Sequence, residues 1–154
     1  MKKGQEAEGV VKTVQFPNKG IVELPGEDKT VVVKDTIAGQ KVRILIQKIR
    51  RGQAQGRLLE VLEKAPGEIA PACPHFGACG GCTYQTISLE KENEMKESQV
   101  LELLEQAGVT GYTYDGIQTS PTTRGYRNKC EFSFGDTGKD GALALGMRRR
   151  HSFY

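Results

Sequence analysis

The 154-residue chain has no tryptophan, only two histidines, four cysteines and 6% aromatic residues. Its longest apolar run is the four residues Ala142-Leu143-Ala144-Leu145, far short of the ~20 that a membrane-spanning helix needs, so a transmembrane helix is excluded. The opening residues Met1-Lys2-Lys3-Gly4-Gln5-Glu6 turn polar at once and offer no signal-peptide stretch, which predicts a cytoplasmic protein. In that reducing compartment, so few cysteines point to metal ligands or core thiols and not to a disulfide framework. With 27% charged and 37% hydrophobic residues, the composition is that of a soluble chain, long enough for one ordinary domain or two small ones.

The net charge of +3 is unevenly placed. Residues 1–64 hold 13 Lys/Arg against 8 Asp/Glu, a net +5, whereas residues 65–154 hold 9 against 11, a net −2. Within that second part, residues 122–154 regain +4 through Arg124, Arg127, Lys129, Lys139, Arg148, Arg149 and Arg150 against three acids. Two basic zones therefore flank an acidic middle. They suit a nucleic-acid footprint or a plain solvated face, and charge alone does not choose between them.

Short apolar runs separated by turn chemistry fill the first 64 residues. Val10, Val14 and Phe16 alternate with Val11 and Thr13, then Pro17-Asn18-Lys19-Gly20 turns. Ile21 to Leu24 stops at Pro25-Gly26, Val31 to Val33 follows, and Lys41 to Ile46 places Val42, Ile44 and Ile46 on one face. A basic polar loop, Arg50 to Gly56, leads to a last strand through Leu58 to Leu62. Five strands in so short a stretch predict a small closed OB-like barrel over residues 1–65, an architecture that removes sheet edges and often binds oligonucleotides. Pro66-Gly67 and Pro71 mark a linker.

Residues 66–154 predict a partial α+β domain with a cysteine loop, one helix and a hairpin. Ser88 suits the helix N-cap, Glu90 and Glu92 the first turn, and Ala107-Gly108 the C-terminus. Its apolar face is expected from Leu89, Val100, Leu103, Leu104 and Ala107, with Lys96 as the polar exception. The hairpin is expected to run from Tyr126 to Phe134, turn at Gly135 to Gly141 and return from Ala142. Ending on Ser152-Phe153-Tyr154, it reads as a domain cut short.

The most specific feature is Cys73-Pro-His-Phe-Gly-Ala-Cys79-Gly-Gly-Cys82. Three thiols at x5 and x2 spacing, with two glycines between the last pair, let the backbone wrap closely around one inorganic centre; soft thiolates select zinc or an iron-sulfur cluster. Structural zinc sites usually pair two knuckles, and no second knuckle exists here, so a 4Fe-4S cluster fits better, with structural zinc the alternative. A radical S-adenosylmethionine enzyme would need a C-x3-C-x2-C spacing, which x5 argues against. Cys130 alternates with Phe132 and Phe134 and reads as core packing; His75 reads as a loop-packing residue.

The segment from Cys73 to Gln85, followed by Gly125-Tyr-Arg-Asn-Lys-Cys-Glu-Phe-Ser-Phe-Gly135, resembles the front part of the S-adenosylmethionine-dependent RNA (uracil-5-)-methyltransferases, and the barrel resembles that family's TRAM domain. The resemblance implies a 4Fe-4S cluster on Cys73, Cys79 and Cys82, with the fourth ligand beyond Tyr154 and Cys130 left in the core. It also implies that the domain binding S-adenosylmethionine and attacking uracil lies outside this chain, since no suitable glycine-rich loop or spare nucleophilic cysteine occurs. The expected function is RNA recognition for a ribosomal or transfer RNA uracil-C5-methyltransferase, by a monomer inactive alone. The alternative is a stand-alone RNA-binding module with a structural zinc.

Physical chemistry supplies the RNA contacts. Lys12, Lys19, Arg50, Arg51 and Arg57 on the barrel suit phosphates. Phe16 suits either base stacking or a core plug. Arg124, Arg127 and Lys129, in the stretch that matches the family, would border the target nucleotide. Arg148 to Arg150 read as alternating strand faces in water.

Overall fold

The structure, a computed structural model, describes residues 1–50, 52–136, 138 and 140–151. Contacts divide the chain into two units, Met1–Glu68 with Met95–Tyr112, and Ile69–Glu94 with Thr113–Tyr154.

The first unit is built on five strands: β1 (Glu6–Gln15), β2 (Lys19–Glu23), β3 (Val31–Val33), β4 (Lys41–Arg50) and β5 (Gln53–Glu63). They close into a barrel in the order β1-β2-β3-β5-β4, as the strand count predicts. Closure rests on β1, which pairs antiparallel with β4 through Glu6–Val10 and with β2 through Val10–Gln15. A short parallel pairing of β3 with β5, Val31↔Ala54 to Val33↔Gly56, joins the other flank. Period-2 alternation turns Val22, Val31, Val33, Val42, Ile44 and Ile46 inward, and a register shift between Val11 and Thr13 brings both Val11 and Val14 to the same side, where all are buried. β-branched side chains have few rotamers to lose and pack well on a pleated surface.

One expectation is corrected here. The stretch from Arg50 to Gly56 is not an open loop: β4 runs to Arg50 and β5 starts at Gln53, with Arg50↔Gln53 paired around a tight turn. Gly52 supplies that turn with φ of 81°, a conformation that costs glycine little. Small polar residues mark turns, but the ladder hydrogen bonds of a long hairpin override that local signal. At the opposite end, Asn18 and Asp35 join two turns through Asn18 Nδ2–H to Asp35 Oδ1 at 2.9 Å and Asp35 N–H to Asn18 Oδ1 at 3.1 Å.

Helix α1 (Leu89–Gln106) starts and ends where capping chemistry predicts. The Lys91 N–H donates to Ser88 Oγ at 3.3 Å, and backbone hydrogen bonding together with the Ser88 hydroxyl holds the Glu90 carboxyl below the usual carboxylate range. At the other end Gly108 N–H bonds the Glu105 carbonyl and Val109 N–H the Leu104 carbonyl, a Schellman closure around a Gly108 with φ of 68°. The buried face differs from expectation. Gln99 is the buried residue and Met95 packs on the barrel core, whereas Val100 and Leu103 stay exposed. The reason is one strong contact: Gln99 Nε2–H donates to the Val14 carbonyl at 2.6 Å, satisfying both groups where water is excluded.

In the second unit, β6 (Ser133–Asp136) and β7 (Leu143–Gly146) form the hairpin. It is shorter than the expected Tyr126–Phe134 arm. Cys130 is exposed, as are Phe132 and Phe134, so the core reading of that face is overturned: among the described residues no second layer covers these side chains.

Gly9 sits where β1 passes between β2 and β4; a Cβ there would lie 2.3 Å from the Glu23 carbonyl oxygen and 2.8 Å from Val22 and Leu24. Gly9→Ala is expected to destabilise the chain by about 1–3 kcal/mol through overpacking, read by urea unfolding. Gly135→Ala, where a Cβ meets open space, should leave the midpoint unchanged.

Candidate functional site

The cysteine loop is built from turns upward. Phe76 N–H bonds the Cys73 carbonyl, and Ala78 and Cys79 N–H both bond the His75 carbonyl. Gly77, with φ of 90°, lets the chain reverse. Gln85 Oε1 accepts from Cys73 N–H at 3.3 Å, so the residues after the motif tie back to its start. Cys79 Sγ accepts the Gly81 N–H at 3.4 Å, the kind of contact that steadies negative charge on a sulfur ligand.

Sequence reasoning missed what braces this loop. Arg148 and Arg149 are exposed, as expected, but the backbone of Arg148 to Arg150 is not free and the Arg150 side chain is half-buried. Gly80 N–H bonds the Arg148 carbonyl at 2.9 Å, Arg150 N–H bonds the Ala78 carbonyl at 2.8 Å, and Cys79 pairs with Arg149 as an antiparallel bridge. The Arg150 guanidinium donates to the Cys82 carbonyl and lies 5.4 Å from the Phe76 ring centroid. Close approach explains both glycines: a Cβ on Gly81 would be 2.8 Å from Met147 Cε, and one on Gly80 would be 3.1 Å from the Arg148 carbonyl oxygen. The glycine pair hinted at a close neighbour, but no local pattern could say which segment it would be.

Cys73 and Cys79 are half-buried and Cys82 is exposed, all as free thiols. Three soft donors on one short, braced loop fit a thiolate-bound centre in kind and spacing. The side chains are not gathered into a ready group of three ligands among the described residues, so a bound centre would draw them together. His75 contributes its carbonyl to the loop, and its side chain is exposed.

On the barrel, Lys12, Lys19, Arg50 and Arg57 are all exposed; Arg51 lies outside the described residues. Lys12 is 3.2 Å from Glu23, so part of its charge is already compensated. Phe16 is 58% exposed, which removes the core-plug reading and leaves the stacking one. Phe16 and Lys19 flank the turn between β1 and β2, where Gln15 pairs with Lys19. In the second unit Arg124, Arg127 and Lys129 are exposed, with the Arg127 guanidinium 6.0 Å from the Tyr126 ring centroid and Lys129 2.7 Å from Glu131. No described helix is long and apolar enough to cross a membrane.

No family model matches the chain. Individual relatives do, and they make the chain a relative of RNA methyltransferases. It is 40% identical over 154 residues to an "Uncharacterized RNA methyltransferase" of Caldanaerobacter subterraneus subsp. tengcongensis, covering 100% of this chain and 34% of that protein. A Clostridium tetani protein of the same name is 43% identical over 150 residues, with 97% of this chain and 32% of the relative covered. A more specific name belongs to a relative in Alkalilimnicola ehrlichii, the 23S rRNA (uracil(1939)-C(5))-methyltransferase RlmD, 35% identical over 133 residues that make up 82% of this chain and 28% of that protein. The chain thus spans about a third of the length of the curated relatives it matches.

Arg150→Ala should loosen the loop by roughly the 0.5–1 kcal/mol of an exposed cation–π pair, plus its hydrogen bond. Hydrogen exchange at Gly80 and Gly81 is the measurement, with several-fold faster exchange expected and β1–β5 amides unaffected.

Proposed function

We propose that this chain is the RNA-recognition portion of an S-adenosylmethionine-dependent RNA uracil-C5-methyltransferase, acting on 23S ribosomal or transfer RNA, and that alone it transfers no methyl group. The observation that carries this reading is the alignment of the whole chain with one third of proteins named RNA methyltransferases. The basic barrel supports it. Lys19, Arg50, Arg51 and Arg57 would hold phosphates, Phe16 would stack an unpaired base, and Arg124, Arg127 and Lys129 would border the target nucleotide. Lys12 would contribute less, because Glu23 competes with any phosphate for it. The protein would act as a cytoplasmic monomer, and S-adenosylmethionine would bind in the part of the enzyme outside this chain.

Cys73, Cys79 and Cys82 would hold a 4Fe-4S cluster, completed by a fourth ligand beyond Tyr154. Pairing of the Arg148–Arg150 segment with the cysteine loop supports a ligand a short distance further along the same path. When bound, the cluster would supply folding energy and rigidity, while the residues of this chain position RNA.

Two measurements test the reading. Anaerobic reconstitution should give a brown protein with about four irons per chain, falling sharply in Cys79→Ser; one zinc and no iron would overturn the cluster assignment. Incubation with unmodified ribosomal RNA and S-adenosylmethionine should yield no 5-methyluridine, and its appearance would overturn the proposed division of labour.

A further inference from the structure

Charge along the β4–β5 hairpin is segregated. At its base, Lys41 Nζ is 3.0 Å from Glu63 and Arg43 pairs with Glu60; hydrogen bonding and charge from Glu63 raise the Lys41 pKa. From Thr36 to Leu59 the sequence has no acid at all. Towards the tip the hairpin itself therefore supplies no acid, and among the described residues neither Lys48 nor Arg50 enters an ion pair.

The tip also has a concave surface. Lys3, Gln47, Lys48, Ile49, Arg50 and Gln55 line an open cleft of about 480 Å³. Two local features shape it. Between Ile46↔Gly56 and Lys48↔Gln55 the ladder takes one extra residue, Gln47, and such a bulge bends a hairpin. The N-terminal segment then lies along β4, with Gly4 N–H to the Ile46 carbonyl at 2.7 Å and Ile46 N–H to the Gln5 carbonyl at 2.9 Å. Lys3 lies in a turn closed by Lys2 N–H to Gln5 Oε1, so its backbone is held beside β4 and its exposed side chain adds a third cation.

We propose that this cleft is a binding site for the phosphate backbone of single-stranded RNA, formed by Lys3, Lys48 and Arg50 with Gln47 and Gln55 as neutral donors. The proposal rests on the RNA-recognition reading above and locates its backbone contact. Three cations with no lining acid attract a polyanion, the arginine fork matches phosphate geometry, and glutamine amides bond phosphate or ribose oxygens without selecting a base. A flexible single strand can follow a bent, open cleft. The paired cations Lys41 and Arg43, on the same strand, are expected to contribute little, because a phosphate would have to displace Glu63 and Glu60.

The test compares two double variants of the full chain with equal loss of charge, Lys48→Gln/Arg50→Gln and Lys41→Gln/Arg43→Gln. The probe is fluorescent oligouridine longer than the ~4–16 nucleotides one OB-type barrel covers, titrated across salt concentrations, with thermal melting as the check on folding. For a single strand each neutralised phosphate adds about 0.7 to the slope of log affinity against log salt. Lys48→Gln/Arg50→Gln should therefore flatten the slope by about 1.4, equivalent to about 25-fold of the affinity gained between 1 M and 0.1 M salt. The second variant should retain most of the slope, and Lys3→Gln should flatten it alone by about 0.7. Equal flattening in both double variants, with RNA still bound by the unmodified chain, overturns the cleft while leaving RNA recognition intact. Displacement of the RNA by polyglutamate at equal charge concentration overturns phosphate recognition in favour of an acidic protein partner. No RNA binding by the unmodified chain overturns both readings together.

Discussion

Closure of the five-stranded sheet is the constraint on which the first unit depends. A sheet with a three-residue strand such as β3 cannot stand as an open edge: too few ladder bonds hold it, and its unpaired groups would recruit other chains. Parallel pairing of β3 with β5 and the sharing of β1 between β2 and β4 remove both edges at once. Closure also leaves an interior so small that valine and isoleucine fill it. Every long charged side chain is then directed outward, and the basic excess of residues 1–64 becomes a surface property. The fold thus concentrates charge at the surface, with the buried Arg43 Nε as an exception.

A different logic holds the cysteine loop. Its own hydrogen bonds are those of tight turns, and its burial is slight, so little apolar area stabilises it. Order comes from the segment Met147 to Arg150, which supplies two backbone hydrogen bonds, a guanidinium on the Cys82 carbonyl and contact with Gly81. Small residues at Gly80 and Gly81 are required by that neighbour as much as by any bound centre.

Legibility in the sequence followed the range of the forces involved. The five barrel strands and both ends of α1 were readable, because alternation, caps and a C-terminal glycine act over a few residues. The buried face of α1 was not, since Gln99 is selected by a carbonyl 85 positions away. The hairpin tip at Arg50 to Gly56 was misread because turn-type composition there coexists with full cross-strand pairing. Cys130 was misread for the opposite reason: alternation with Phe132 and Phe134 signals a face that wants covering, but the sequence cannot say what covers it. The brace of the cysteine loop was not legible at all, since its segment lies 68 positions away.

That brace has a consequence for synthesis. Arg150 follows Cys82 by 68 positions, and a chain leaves the ribosome at roughly 5–20 residues per second. For several seconds the three thiols are therefore outside the ribosome while their supporting strand is not yet made. During that interval the loop lacks the two backbone hydrogen bonds and the guanidinium contact that brace it. Only once Met147 to Arg150 dock is the backbone shape of the loop set, so the order of emergence separates an unbraced phase from a braced one.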